Sequence, residues 1–169
     1  MTSHATIEMD EVDPLVYRRT VGTFATGVAV VTALHDGEYH GMTMNSLTSV
    51  SLDPCMLLVC PRHGSATGKA IADSGEFVIN LLGADQEDFS ARFVGQFEDR
   101  FTGVDVEHTP TGTPLIAEAL AHIGCSVVDI HRAGDHDIVV GRVRFCKERS
   151  GEPLVFFKGQ YGSFVARGD

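Results

Sequence analysis

The segment from Gly41 to Pro54, GMTMNSLTSVSLDP, crowds five hydroxyls and an amide into one loop-forming stretch. Thr43, Asn45, Ser46, Thr48, Ser49 and Ser51 are small donors of the kind that satisfy phosphate oxygens, and Gly41 lets a flat ring approach the backbone. The chemistry this suits is capture of a phosphorylated planar molecule. A Ser/Thr-rich surface loop satisfied by water has the same composition, so the neighbouring segments must decide between the two. Arg62, Lys69 and Arg92 follow closely and offer the cations that an anion requires. Arg62 stands between a buried strand and a helix start, where a guanidinium can aim at the same anion as the helix N-terminal N–H groups. A solvated loop arginine is its plainer reading.

His136 lies in the turn sequence Gly134-Asp135-His136-Asp137. A lone turn histidine is by default solvent-exposed and idle. With Asp135, Asp137 and nearby His131 it could also be read as a metal cluster, but the spacing fits no established ligand set, and no metal is expected. Phe156, Phe157 and Tyr161 read as core, dimer interface or a platform for a ring, and strand alternation puts Phe156 and Phe157 on opposite faces. At most one of that pair stacks on a ligand. Asn80, inside EFVINLL, is a buried amide that must be hydrogen-bonded and is read as structural. GSATGKA resembles a P-loop but is one residue short between its glycines and has Ala70 at the magnesium-binding position; it reads as a helix start. No GxGxxG follows a strand, so a nicotinamide nucleotide would bind without the Rossmann fingerprint.

The elements that must position these groups follow from capping and turn signals. Asp13-Pro14 opens an amphipathic helix running to about Phe24, and GVAVVTAL, HDGE and YHGMTM read as a strand, an Asp-Gly turn and its returning partner. CMLLVCP is a buried strand, GSATGKAIADSG a short helix ending at Gly75, EFVINLL a strand and ADQEDFSARFVG a helix. The stretch from Thr102 to Pro114 is turn-rich and irregular. AHIGCSVVDIHR and DIVVGRVRFCKE pair around AGDHD, and PLVFFKGQYGSF forms a last aromatic strand. Six or seven hairpin-joined strands with three helices predict a mainly β antiparallel barrel with peripheral helices, and the βα rhythm of a parallel sheet is absent.

With 169 residues, 43% of them hydrophobic, and a mean hydropathy of +0.05, residues 12–169 read as one domain behind a mobile N-terminal arm over residues 1–11. The formal net charge of -10 repels nucleic acid and anionic membrane surfaces, so neither is an expected partner. Cys55, Cys60, Cys125 and Cys146 form no zinc spacing and read as buried reduced thiols. The polar, acidic N-terminus and the lack of a bilayer-length apolar run place the chain in the cytoplasm as an expectation.

Seven segments in order carry a family resemblance: FATGVAVVT at 24–32, GMTMNSLTSVSLDP at 41–54, CPRHGSAT at 60–67, FVINLL at 77–82, SARF at 90–93, GDHDIVVGRV at 134–143 and PLVFFKGQY at 153–161. Together they resemble the short-chain flavin reductases, the NAD(P)H-dependent components of two-component flavin monooxygenases. The resemblance implies a Greek-key split β-barrel that forms a homodimer. It implies flavin contacts at Gly41, Met42, Thr43, Asn45 and Ser46, phosphate-side contacts at Cys60, Pro61, Arg62, Ser65, Ala66 and Thr67, and a further flavin-contacting pair at Arg92 and Phe93. The nicotinamide side maps onto His136, Phe156, Phe157, Lys158, Gly159 and Tyr161, with His136 as the catalytic candidate that orients the nucleotide. Relatives often carry Pro-Pro where this chain has Pro54-Cys55, a change expected to leave flavin binding intact. The implied reaction is reduction of FAD or FMN by NADH, with NADPH also open, and delivery of free reduced flavin by diffusion to a separate monooxygenase. A split-barrel oxidase holding FMN tightly, and a flavin-binding electron carrier without turnover, are the competing readings.

Overall fold

The computed structural model describes residues 11–95 and 100–166. The arm expected over residues 1–11 therefore lies, except for Glu11, outside the described residues. The chain order is α1 (Pro14–Val21), β1 (Thr26–Gly27), β2 (Ala29–His35), β3 (Glu38–Met44), β4 (Leu47–Leu52), β5 (Cys55–Val59), α2 (Ala66–Ser74), β6 (Glu76–Leu81), α3 (Glu87–Val94), β7 (Val106–His108), β8 (Pro114–Ile116), β9 (Ala121–Ala133), β10 (His136–Glu148), β11 (Leu154–Phe157) and β12 (Gln160–Ser163). The molecule is mainly β, and every strand pair among the described residues is antiparallel. Seven strands form the main sheet in the order β3-β2-β6-β9-β10-β5-β4, beside a three-stranded sheet β1-β11-β12 and the β7-β8 ribbon.

Local chemistry sets most of these boundaries. Asp13 caps α1 by accepting from Leu15 N at 2.6 Å, and Pro14 occupies a position where a missing N–H costs nothing. Helix α2 opens on Ser65, whose hydroxyl accepts from Gly68 N at 3.2 Å, and stops at Gly75 in the left-handed conformation. The β2–β3 turn has Asp36 and Gly37 at φ of 51° and 78°, the geometry that matches the right-handed twist of the paired strands. Two buried clusters fill the interior: Val31, Val59, Ile71, Phe77, Ile79 and Val139 anchor one, and Val30, Leu82, Phe93, Ile116 and Leu154 the other. Val30 and Val31 project to different clusters because successive side chains of β2 face opposite sides of the sheet.

Four expectations need correction. The hydroxyl-rich segment is not a loop: it forms the end of β3 and all of β4, with only Asn45 and Ser46 between them, because Leu47, Thr48 and Ser49 pair with Val59, Leu58 and Leu57. Twelve strands are present among the described residues, against the six or seven expected: besides β4, the short β1 precedes β2, the turn-rich stretch holds β7 and runs into β8, and the last aromatic segment folds back on itself as β11 and β12. Helix α1 ends at Val21 and buries none of its residues. The cysteines are free thiols, but only Cys125 is buried; Cys60 is half-buried, and Cys55 and Cys146 are exposed. No helix among the described residues is long and apolar enough to cross a membrane.

Candidate functional site

A cleft of about 940 Å³ opens between the end of α1, strands β1 and β2, the β3–β4 junction and the segment that follows β5. Of the residues singled out from sequence, Met42, Thr43, Asn45, Ser46, Thr48, Cys60, Arg62, His136 and Phe156 line it. Strand β3 brings Met42 and Thr43, the junction brings Asn45 and Ser46, and the pairing of β5 with β10 carries Cys60, Arg62 and His136 to one wall.

Several of the small donors are already engaged. The Thr43 hydroxyl donates to Ser90 O at 2.8 Å, and Asn45 Nδ2 donates to Thr26 Oγ1 at 3.1 Å. Ser46 Oγ accepts from Cys60 N at 3.0 Å and donates to Cys60 O at 3.3 Å. These bonds hold the cleft walls to one another. The Thr48 hydroxyl and the guanidinium groups of Arg18 and Arg62 are among the groups left to meet a ligand, all lining the cleft and none held in a hydrogen bond or ion pair among the described residues.

Arg62 and His136 are direct antiparallel partners just beyond the end of β5, so their side chains share a face of the wall. His136 Nδ1 lies 2.8 Å from Asp135 Oδ1, which leaves Nε2 for a ligand. The hydrogen bond from His136, then its charge, holds the exposed Asp135 carboxyl below its ordinary value, with Arg62 adding a smaller attraction. Burial pushes the Cys60 thiol above its ordinary value. Phe156 packs against Tyr161 with ring centroids 5.4 Å apart, and Tyr161 OH is 2.7 Å from Ser90 Oγ.

The remaining candidates sit away from the cleft lining. Gly41 is buried, and a Cβ there would lie 2.7 Å from Phe93 Cε1, so its bareness makes room for an aromatic side chain of the protein itself. Phe93 is 1% exposed in the second core cluster, and Arg92 donates to Thr102 O at 3.1 Å. Pro61 and Thr67 are buried, Ala66 is exposed, and the Ser65 hydroxyl is committed to capping α2. Phe157 is exposed with Lys158 Nζ 5.3 Å from its ring centroid, and Lys158 and Gly159 form the β11–β12 turn. That turn is tied to the end of α1 by Lys158 N donating to Gly22 O at 2.8 Å.

Tyr17, Arg18, Val21 and Phe24 also line the cleft and were not singled out for it. Their signal was present in the basic last turn of α1 and in the FATG segment, but a helix is normally read as packing on its own chain. The lining fits a flat phosphorylated molecule: its volume lies within the range of small-molecule sites, its walls are largely apolar, and two unpaired cations stand at it.

Residues 21–164 match the family model described as flavin reductase like domain. The chain is 37% identical to the reductase subunit HsaB of a flavin-dependent monooxygenase from Rhodococcus jostii, over 95% of this chain and 83% of that protein. It is 41% identical to the FMN reductase (NADH) SmoA of Agrobacterium fabrum, over 88% of this chain and 84% of that protein. Among solved structures, the Streptomyces globisporus NADH:FAD oxidoreductase in complex with NAD and FAD fragments superimposes with a TM-score of 0.88 at 34% identity, covering 95% of this chain and all of that one.

Proposed function

We propose, from the premise that the chain belongs to the flavin reductase-like family, that it oxidises NADH with FAD or FMN as acceptor and supplies reduced flavin to a separate monooxygenase. The observation that carries this reading is the cleft wall on which Arg62 and His136 stand side by side, within a cavity that also holds Phe156 and Arg18. When bound, the flavin would supply the acceptor, at N5, for the hydride that leaves nicotinamide C4, so the protein needs no side-chain nucleophile.

The chain's own work is binding and orientation. Met42, Leu47 and Val28 present apolar surface to a ring system, while Thr48, Arg62 and Arg18 hold phosphate oxygens. His136 orients the nicotinamide nucleotide through Nε2, its ring fixed from the other side by Asp135. Phe156 closes the nicotinamide side, and the Phe157, Lys158, Gly159 and Tyr161 hairpin supports it from outside the cleft. Gly41 and Phe93 act through the packing beneath β3, and Arg92 ties α3 to Thr102.

At the level of the whole chain, residues 12–169 act as one reductase domain whose sheets close as a split barrel. A second copy of the chain covers the apolar residues that α1 leaves exposed, making a homodimer. Reduced flavin reaches the monooxygenase by diffusion, which needs no docking surface.

The test is loss of NADH absorbance with purified protein and added FAD, FMN or riboflavin in turn, repeated with NADPH. Saturable oxidation with free flavin as co-substrate is expected. Flavin binding with no turnover for any pair would leave the electron carrier or the tight-FMN oxidase in its place.

A further inference from the structure

The wall that presents Arg62 and His136 has a second face. Beyond Val139 and Val59, β10 continues to pair with the chain leaving β5: Asp137 N donates to Pro61 O at 3.0 Å and His63 N donates to Asp135 O at 2.9 Å, with Arg62 and His136 partnered between them. Because strand side chains alternate, the neighbours of that pair fall on the opposite face. There Asp137 stands across from Arg132 of β9, and His63 bridges the two.

His63 Nδ1 lies 2.9 Å and 3.0 Å from the two Asp137 carboxylate oxygens, and Arg132 Nη1 lies 3.0 Å from His63 Nε2. A guanidinium can only donate, so Nε2 must accept. The ring is therefore neutral with its hydrogen on Nδ1, given to Asp137. The side chain of Asp137 is only 18% exposed and that of His63 44% exposed, so this is a partly shielded chain of bonds rather than a loose surface pair.

We propose that His63, held between Asp137 and Arg132, is a positioning residue that locks the segment 61–64 onto the β9–β10 turn and so keeps Arg62 and His136 side by side on the cleft wall. Three bonded side chains from three separate segments fix two backbone stretches whose other faces carry the ligand-facing groups. What those groups bind rests on the reductase reading; the clamp itself does not.

Two measurements test it, one on the protein without cofactors. Imidazole nitrogen NMR of the unliganded protein, with the His63 and His136 signals assigned from His63→Gln and His136→Gln, should show His63 as the Nδ1–H tautomer. In His63→Ala the His136 signals should shift or broaden. An Nε2–H tautomer at His63, or His136 signals unmoved in His63→Ala, would overturn the clamp whatever the protein catalyses. In turnover, His63→Ala should raise the NADH KM by about ten-fold with kcat within about two-fold, a loss of orientation rather than of chemistry. His63→Asn, whose amide N–H can still reach Asp137, should recover most of that loss. In a His136→Ala background the same His63→Ala change should cost less than about two-fold, because a residue acting through another has no effect once that other is gone. Full additivity in that background, at unchanged thermal midpoint, would show that His63 does not position His136 and would overturn the clamp.

Discussion

Removing one side chain at a time separates the roles assigned to the cleft. Arg62 is exposed and its side chain makes no hydrogen bond among the described residues, so Arg62→Ala should leave the thermal midpoint unchanged. It should also weaken FMN binding by about ten- to a hundred-fold, the worth of one or two charge-assisted hydrogen bonds, read by quenching of flavin fluorescence. His136→Ala should instead raise the NADH KM or lower turnover while flavin affinity holds; loss of flavin binding in that variant would remove His136 from the nicotinamide side. Asn80 lies far from such trade-offs. Its Nδ2 donates to Val30 O at 2.9 Å and to Thr32 Oγ1 at 3.2 Å, and its Oδ1 accepts from Ile116 N at 2.8 Å, all fully buried. Asn80→Ala removes all three bonds, and although the Thr32 hydroxyl keeps its bond to Pro114 O, Ile116 N loses its Asn80 acceptor; at about 1–3 kcal/mol for one buried unsatisfied group, urea denaturation should show a stability loss of at least that size with no change in the cleft. Asn80 was legible in the sequence because an amide inside an apolar strand admits one reading. Thr43, Asn45 and Ser46 were legible as donors but not as spent donors, because their partners Ser90, Thr26 and Cys60 come from other elements. Cys60 was misread as buried for a related reason: it ends an apolar run, yet it opens onto the cleft. Partial burial still raises its thiol above the ordinary value of 9.0, so little thiolate forms near neutrality. Alkylation of Cys60, followed by peptide mapping at pH 8, should lag behind that of Cys55 and Cys146, speed up as pH rises, and be suppressed by excess FMN.

Among the elements, those with their determinants close in sequence were the ones that could be read. The β2–β3 and β9–β10 hairpins announce themselves through Asp36-Gly37 and Gly134, where the turn needs positive φ. The β11–β12 hairpin does not, because its first turn residue is Lys158 at φ 49°, a lysine in a conformation that usually selects glycine, asparagine or aspartate. Strand β4 reads as loop from its own residues because Ser and Thr are common to both; its pairing with β5, residues later in the chain, makes it a strand. Helix α1 is the instructive case. Capping and periodicity identify it, and the same periodicity implies an apolar face packed on the core, yet Leu15, Val16, Tyr17 and Val21 are all exposed. The pattern identifies the helix, but none of that face is buried by its own chain, and a second copy is proposed to cover it. Leu15 and Val16 do not line the cleft, so Leu15→Glu with Val16→Glu tests the interface without touching the site. Light scattering should show wild type as a dimer and the double variant as a monomer. Circular dichroism should remain the same, since α1 buries nothing within its own chain. A monomeric wild type would sink the proposal.

At the scale of the whole molecule, charge sets a conflict that the site must resolve. A formal net charge of -10 repels flavin mononucleotide and nicotinamide nucleotides as they approach, whereas Arg18 and Arg62 attract them once they reach the cleft. The two fields have different ranges. Screening shortens from about 30 Å at 0.01 M salt to about 8 Å at 0.15 M, which removes the repulsion of the distant charges while contacts at hydrogen-bond distance survive. Added salt over that range should therefore speed the association of FMN, by roughly two- to three-fold if a few of the net charges are felt at the entrance, and should leave the dissociation rate nearly constant. Riboflavin, which lacks the phosphate, should associate at a rate indifferent to salt. Stopped-flow quenching of flavin fluorescence reads both. In Arg62→Ala the acceleration of FMN by salt should persist while dissociation becomes faster, because the long-range repulsion is unchanged and only the local hold is lost. An association rate for FMN that falls with salt would mean that the arginines already dominate the potential at the mouth of the cleft, and that the net charge of the chain is irrelevant to how its ligands arrive.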